Sequence, residues 1–79
     1  MNKGWIAIRH DLSRQTKKHR EFLYYDFCQF HARWSKDLKN ALYLVVVELQ
    51  PQSAVAVKFG LHKQAINRAI RKYKLYLLT

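Results

Sequence analysis

Two glycines and one proline are the only strong backbone breakers in this 79-residue chain. An all-β sandwich or barrel needs a turn signal about every 8–12 residues. Gly4, Pro51 and Gly60 cannot supply that many. The long uninterrupted stretches between them favour helix. A chain this short makes one domain and buries only about 60–65% of its unfolded surface, so its core is thin. Apolar residues nevertheless make up 49% of it and aromatics 14%, which excludes a disordered tail. The expectation is a single all-α domain, residues 1–79, of four or five helices.

The charge is lopsided. Fifteen Lys and Arg stand against five Asp and Glu, a formal net charge of +10. A compact domain with that excess repels itself unless a polyanion is near. Nucleic acid is the commonest such partner, then an anionic membrane surface, then an acidic protein. The bland alternative is a basic protein kept soluble by its charge. All five acids lie in residues 1–50, and residues 51–79 carry Lys58, Lys63, Arg68, Arg71, Lys72 and Lys74 with no acid at all. The C-terminal part is therefore the electrostatic candidate for function.

Cys28 is the only cysteine, so no intramolecular disulfide can form and a reducing compartment suits the chain. The opening apolar stretch is broken by Arg9 and His10, unlike a signal peptide. The longest apolar run, Ala41 to Val47, is far shorter than the ~20 residues of a spanning helix. A soluble, cytoplasmic protein without membrane attachment is expected.

Trp5, Ile6, Ile8 and Leu12 suit a short helix or turn within residues 1–16, with an extended arm as the alternative. A helix is expected from Arg14 to Trp34. There Leu23, Phe27, Phe30 and Trp34 recur at helical spacing, with Tyr24, Cys28 and His31 beside them. Gln29, Arg33 and Asp26 take the polar arc, with Phe22 at its edge. So wide an apolar side can serve a core and a partner together, and Phe22, Tyr25, Phe30 and Trp34, with Tyr76, are the candidate dimer or partner surface. Ser35 is a good N-cap for a helix from Lys36 to Leu49, with Asp37 in its first turn and a stripe of Leu38, Leu42, Val45 and Leu49. The run Val45-Val46-Val47 is poor helix sequence, but a lone strand would have nothing to pair with. Pro51 stops this helix and suits the first turn of another.

From Gln52 the pattern fits a helix-turn-helix over residues 51–75. Ala56 is small where two crossing axes approach, and Gly60 opens the turn, where a positive φ is needed. Val55, Phe59, Leu61, Ile66, Ala69 and Ile70 then face the core, with Tyr73 continuing the stripe. The opposite side of the second helix, Lys63 to Tyr73, carries side chains that pair with base edges or phosphates. His62, Lys63, Gln64, Asn67 and Arg68 are the candidate base contacts, since a recognition helix reads with its N-terminal part. Gln and Asn pair with adenine, and Arg with guanine. Lys58, Arg71, Lys72 and Lys74 are the candidate phosphate contacts. The bland alternative is an amphipathic helix with a solvated basic face.

Residues 51–70 resemble the helix-turn-helix of the TrfB/KorA-type plasmid transcriptional repressors. Pro51-Gln52, Ala56, Gly60-Leu61, Ala65-Ile66 and Ala69-Ile70 carry the likeness, which covers about a quarter of the chain. It implies a transcriptional regulator of a plasmid, phage or other mobile element, binding a palindromic operator as a dimer. It also implies operator contact at His62, Lys63, Gln64, Asn67 and Arg68. Those repressors dimerise through a further segment, so a dimer of this chain is expected to use Phe22 to Trp34 or the Tyr76-Leu77-Leu78 tail instead.

Cys28 and His31 are one helical turn apart, but a structural zinc site needs four ligands and no second pair stands nearby. No Gly-rich phosphate loop or orienting group for a nucleophile is present. No metal, cofactor, small-molecule substrate or enzymatic activity is expected. Three rivals to duplex DNA binding remain: a small inhibitor or adaptor docking on an acidic protein; RNA or single-strand binding through Trp5, Tyr24 and Tyr25; and membrane-surface attachment by a basic amphipathic helix.

Overall fold

The structure, a computed structural model, describes residues 4–31 and 33–78. Met1 to Lys3, part of the expected N-terminal segment, lie outside the described residues. Five helices follow one another: α1 (Trp5–Ser13), α2 (Lys17–Gln29), α3 (Lys36–Val46), α4 (Gln52–Phe59) and α5 (Lys63–Leu78). No strand occurs among the described residues. Helices α3, α4 and α5 pack on one another, α2 lies on α3, and α1 leans on α5.

The N-terminal segment is helical because Ile8 and Leu12, one turn apart, both enter the core, with Trp5 half-buried beside them. Ile6 points the other way and is 86% exposed. The expected single helix from Arg14 to Trp34 is shorter at both ends. Thr16 interrupts it in an extended conformation, and its hydroxyl accepts the His19 backbone N–H at 3.1 Å. That cap starts α2 afresh, while Arg14 closes α1. At the other end the backbone leaves the helix after Gln29. Trp34 thereby folds back onto Phe27, with ring centroids 5.5 Å apart. Phe30 is left 73% exposed, outside the core stripe to which its spacing assigned it.

Ser35 caps α3 as expected, its Oγ accepting the Leu38 N–H at 3.2 Å. The three valines do not form a strand. Val45 and Val46 are helical, Val47 caps the helix, and all three are buried. The helix therefore ends before Leu49, which adopts φ 59° instead. A branched residue in this left-handed region costs roughly 1–2 kcal/mol, so its surroundings must hold it. Leu49 packs against the core, and its carbonyl accepts from Arg9 Nη2. Pro51 then stands one position ahead of α4 as its N-cap, its carbonyl accepting from Val55 N–H at 3.1 Å.

Between α4 and α5 only Gly60, Leu61 and His62 intervene. Gly60 sits at φ 62°, ψ 31°. Its N–H reaches the Val57 carbonyl at 3.2 Å, and Leu61 N–H reaches the Ala56 carbonyl at 3.0 Å. This pair of bonds satisfies the last carbonyls of α4 and turns the chain sharply. A β-carbon on Gly60 would meet nothing within 4 Å, so the demand for glycine there is one of backbone conformation, not of space.

One core serves all five helices, and Phe27, Leu42, Val55, Ile66 and Tyr73 are among its fully enclosed side chains. Rings cluster at the α2–α5 contact: Phe27 meets Tyr73 edge-on at 5.0 Å and Tyr76 at 5.6 Å. Burial pushes the Tyr73 phenol far above the ordinary tyrosine range. For Tyr24 burial does the same, followed by its hydrogen bond with Cys28. Tyr76 is pushed up to about 12 by burial and by donating to Asp26 Oδ2. Phenols whose folded pKa is raised add stability that is fully present below the unfolded value near 10 and is lost as pH climbs through the folded value. The melting temperature should decline above pH 10, and Tyr76→Phe should remove part of that decline. Identical pH profiles for the two proteins would contradict the assignment.

Candidate nucleic-acid interface

Helix α5 is divided lengthwise. Ile66, Ala69, Ile70 and Tyr73 are buried in the core. A residue 100° further round per step puts Gln64, Arg68 and Arg71 on the opposite side, with Asn67 beside them. All four are exposed, as are His62 and Lys63 at the start of the helix and Arg71's neighbour Lys72. Gln64, Arg68 and Arg71 succeed one another at i, i+4 and i+7, a run of about 10 Å at 1.5 Å per residue. Three base-pair steps of a duplex cover about the same length at 3.4 Å each.

Gln64 and Arg68, with Asn67 beside them, share the exposed side of α5, while Lys63 opens the helix and His62 stands in the turn before it, both exposed. The candidate phosphate contacts spread around it. Lys58 is exposed in the last turn of α4, Arg71 and Lys72 are exposed on α5, and Lys74 is half-buried. Among the described residues no cation of α5 has an ion-pair partner, whereas Lys17 and Glu48 pair at 2.8 Å on the other side of the sequence divide. These charges are open to an external anion.

Of the expected turn-and-core positions, Val55, Ala56, Ile66, Ala69 and Ile70 are buried. Phe59 and Leu61 are half-buried against the same core. Gly60 is the exposed left-handed turn residue. Helix α5 runs on past Tyr73 to Leu78, because Tyr76 and Leu77 still find the core. This corrects the expected partner surface. Tyr76 is half-buried and bonded to Asp26, and Trp34 is tucked against Phe27, so neither faces outward. Phe22 and Tyr25 on α2, at 67% and 57% exposure, and Phe30 just after it do face outward. The aromatics named for base stacking also divide. Tyr24 is buried and donates to the Lys39 carbonyl at 2.7 Å, and Trp5 is half-buried, leaving Tyr25 exposed.

Spacing missed a second feature beside α5. A cleft of about 630 Å³ opens between α1 and the segment that joins α3 to α4, and Lys63 at the start of α5 borders it. Arg9 and His10 line one side, Pro51, Gln52 and Ser53 the other. These residues come from three separate stretches of the sequence, so no linear pattern announces them.

His31 stacks on Phe27 at 4.1 Å, its Nδ1 lies 3.2 Å from the Phe27 carbonyl, and no metal-holding group of His, Cys, Asp or Glu exists among the described residues. No described helix is long and apolar enough to cross a membrane. No family model, curated protein or solved structure matches the chain.

Proposed function

We propose that the chain is a sequence-specific double-stranded DNA-binding protein, with α4, the Gly60 turn and α5 acting as a helix-turn-helix. In this reading α5 enters the major groove. Gln64, Asn67 and Arg68, with His62 and Lys63 at its start, meet base edges, and Lys58, Arg71, Lys72 and Lys74 meet phosphates. The observation that carries the reading is the single face of α5 holding amide and guanidinium groups, unpaired and free of acid, opposite a fully buried stripe. A merely solvated helix face would do as well with Glu and Lys mixed; this one carries amides and cations and no acid.

The resemblance over residues 51–70 extends the proposal to a small transcriptional regulator of a mobile element acting on a palindromic operator in the cytoplasm. A palindrome calls for two copies. The exposed Phe22 and Tyr25 on α2, with Phe30, are the apolar surface we assign to the homodimer. It lies in the part of the chain, residues 1–50, that holds all five acids. No catalytic role enters this reading.

The test is selection of random duplexes by the intact protein at two ionic strengths, followed by sequencing. An enriched inverted repeat that persists at the higher salt supports the proposal. No duplex retained at either salt overturns it, and preferential capture of a single strand of identical sequence favours the stacking alternative through Tyr25.

A further inference from the structure

The cleft beside α5 has a composition that the major-groove reading does not use. Its walls combine apolar surface from Trp5, Leu49 and Pro51 with the cations Arg9 and Lys63 and the hydroxyl of Ser53. No acid lines it. A purely apolar ligand would leave the cations unmatched, and a free inorganic anion would leave the apolar walls wet. A sugar–phosphate strand matches both, because deoxyribose presents a mostly apolar ring and each phosphate a negative charge.

The position agrees with the chemistry. Lys63 belongs both to the cleft and to the start of the exposed α5 face. When a helix lies in a major groove about 12 Å wide, the two strands pass along its flanks. The N-terminal end of α5, at Lys63, borders this cleft. The wall is also held in shape before anything binds. Arg9 donates one N–H to the Leu49 carbonyl, which fixes the backbone ahead of Pro51 and leaves its other guanidinium donors available.

We infer that the cleft between α1 and the start of α4 seats one sugar–phosphate strand of the duplex whose major groove α5 enters. This rests on the DNA-binding reading and deepens it: the footprint extends from α5 across to α1, Arg9 and Ser53 hold the backbone, and Lys63, assigned above to a base edge, turns to that backbone instead while Gln64, Asn67 and Arg68 read bases.

Ser53→Asp tests it. Ser53 is exposed in the first turn of α4, where an acid suits the helix dipole, so the fold should be kept. In the cleft the new carboxylate would face a phosphate. Asn40→Asp is the control. It changes net charge by the same unit at an exposed position in the first half of α3, away from the Leu49–Ser53 wall of the cleft and off the face that carries Phe22 and Tyr25. Binding to a selected duplex and to random duplex is measured across a salt series. Ser53→Asp should lose about tenfold on both at moderate salt and flatten the slope of log K against log salt by about one, the signature of one lost phosphate contact. Asn40→Asp should lose much less. If the wild type and Asn40→Asp bind, Arg68→Ala binds less well, and Ser53→Asp matches the control, the strand does not pass through the cleft, while α5 keeps its role. If the wild type binds no duplex at all, both readings fall together.

Discussion

Replacing Arg20 with Met should lower the stability of this domain by about 3 kcal/mol, more than the loss of any other single charge on it. Arg20 is half-buried, and its guanidinium donates to three backbone carbonyls: Val47 at 2.8 Å, Leu12 at 3.1 Å and Gln15 at 2.6 Å. Leu12 and Gln15 belong to the end of α1 and the turn after it, and Val47 caps α3. The last carbonyls of a helix lack a following helical turn, so one planar, always-charged group joins two helix ends by donating to Val47 on one and to Leu12, which also accepts the Gln15 N–H, on the other. Methionine keeps much of the apolar stem and removes every donor. Charged hydrogen bonds contribute about 1.5–3 kcal/mol each, but water can reach some of the freed carbonyls, so the loss is less than the sum. For a domain of this size about 3 kcal/mol corresponds to a fall in melting temperature of roughly 12–24 °C. Arg9→Met, which gives up a single exposed bond to the Leu49 carbonyl, should cost much less. Thermal melts followed by circular dichroism decide the matter. A shift for Arg20→Met no larger than that for Arg9→Met would mean that the three bonds are replaced by water without loss.

The same residue marks what can and cannot be read from sequence. Arg20 adds one to a count of basic residues, and nothing in its local spacing says that it turns inward. The signals that could be read are those whose physics is local. Ser35 caps the helix that follows it, Pro51 separates two helices, and Gly60 takes the left-handed conformation that lets α5 follow α4 after three residues. The stripe Ile66, Ala69, Ile70, Tyr73 was legible because a helix of this length repeats its face several times. The signals that failed depend on tertiary contacts. The break at Thr16 and the early end of α2 contain neither glycine nor proline. The break lets α1, which carries Ile8 and Leu12 into the core, run separately from α2, and the early end lets Trp34 reach the core from the turn before α3. Periodicity therefore gave Phe30 and Trp34 equal places on one stripe, while in the folded chain Trp34 returns to Phe27 and Phe30 is left outside. The face of α5 was legible for the same reason as its stripe, being its complement. The cleft was not, because Arg9, Ser53 and Lys63 meet only after three segments have packed together.

On a selected duplex, Arg68→Ala should lose about 1–3 kcal/mol of binding, and the base pair it faces should become less discriminated. Gln64→Ala should behave likewise at a neighbouring pair, since the two side chains stand one helical turn apart on the exposed face. Neither substitution touches the core, so melting temperatures should stay near the wild-type value and any loss of affinity belongs to the interface. Lys74→Ala should act differently. Its ammonium stem rises beside the buried stripe, away from the centre of the reading face, and a point charge there can attract a phosphate without distinguishing sequences. It should weaken selected and random duplexes by the same factor and flatten the salt dependence by about one unit. The contrast between the two classes is the decisive quantity, because any basic helix loses affinity for DNA when a positive charge is removed. A salt series on both duplexes separates the classes. If Arg68→Ala and Lys74→Ala lower affinity equally on selected and random DNA, α5 attracts the duplex by charge alone and reads nothing. If Arg68→Ala instead erases preference at one base pair while leaving random binding mostly intact, the guanidinium meets a base edge, and the face opposite Ile66 and Ile70 is the one that enters the groove.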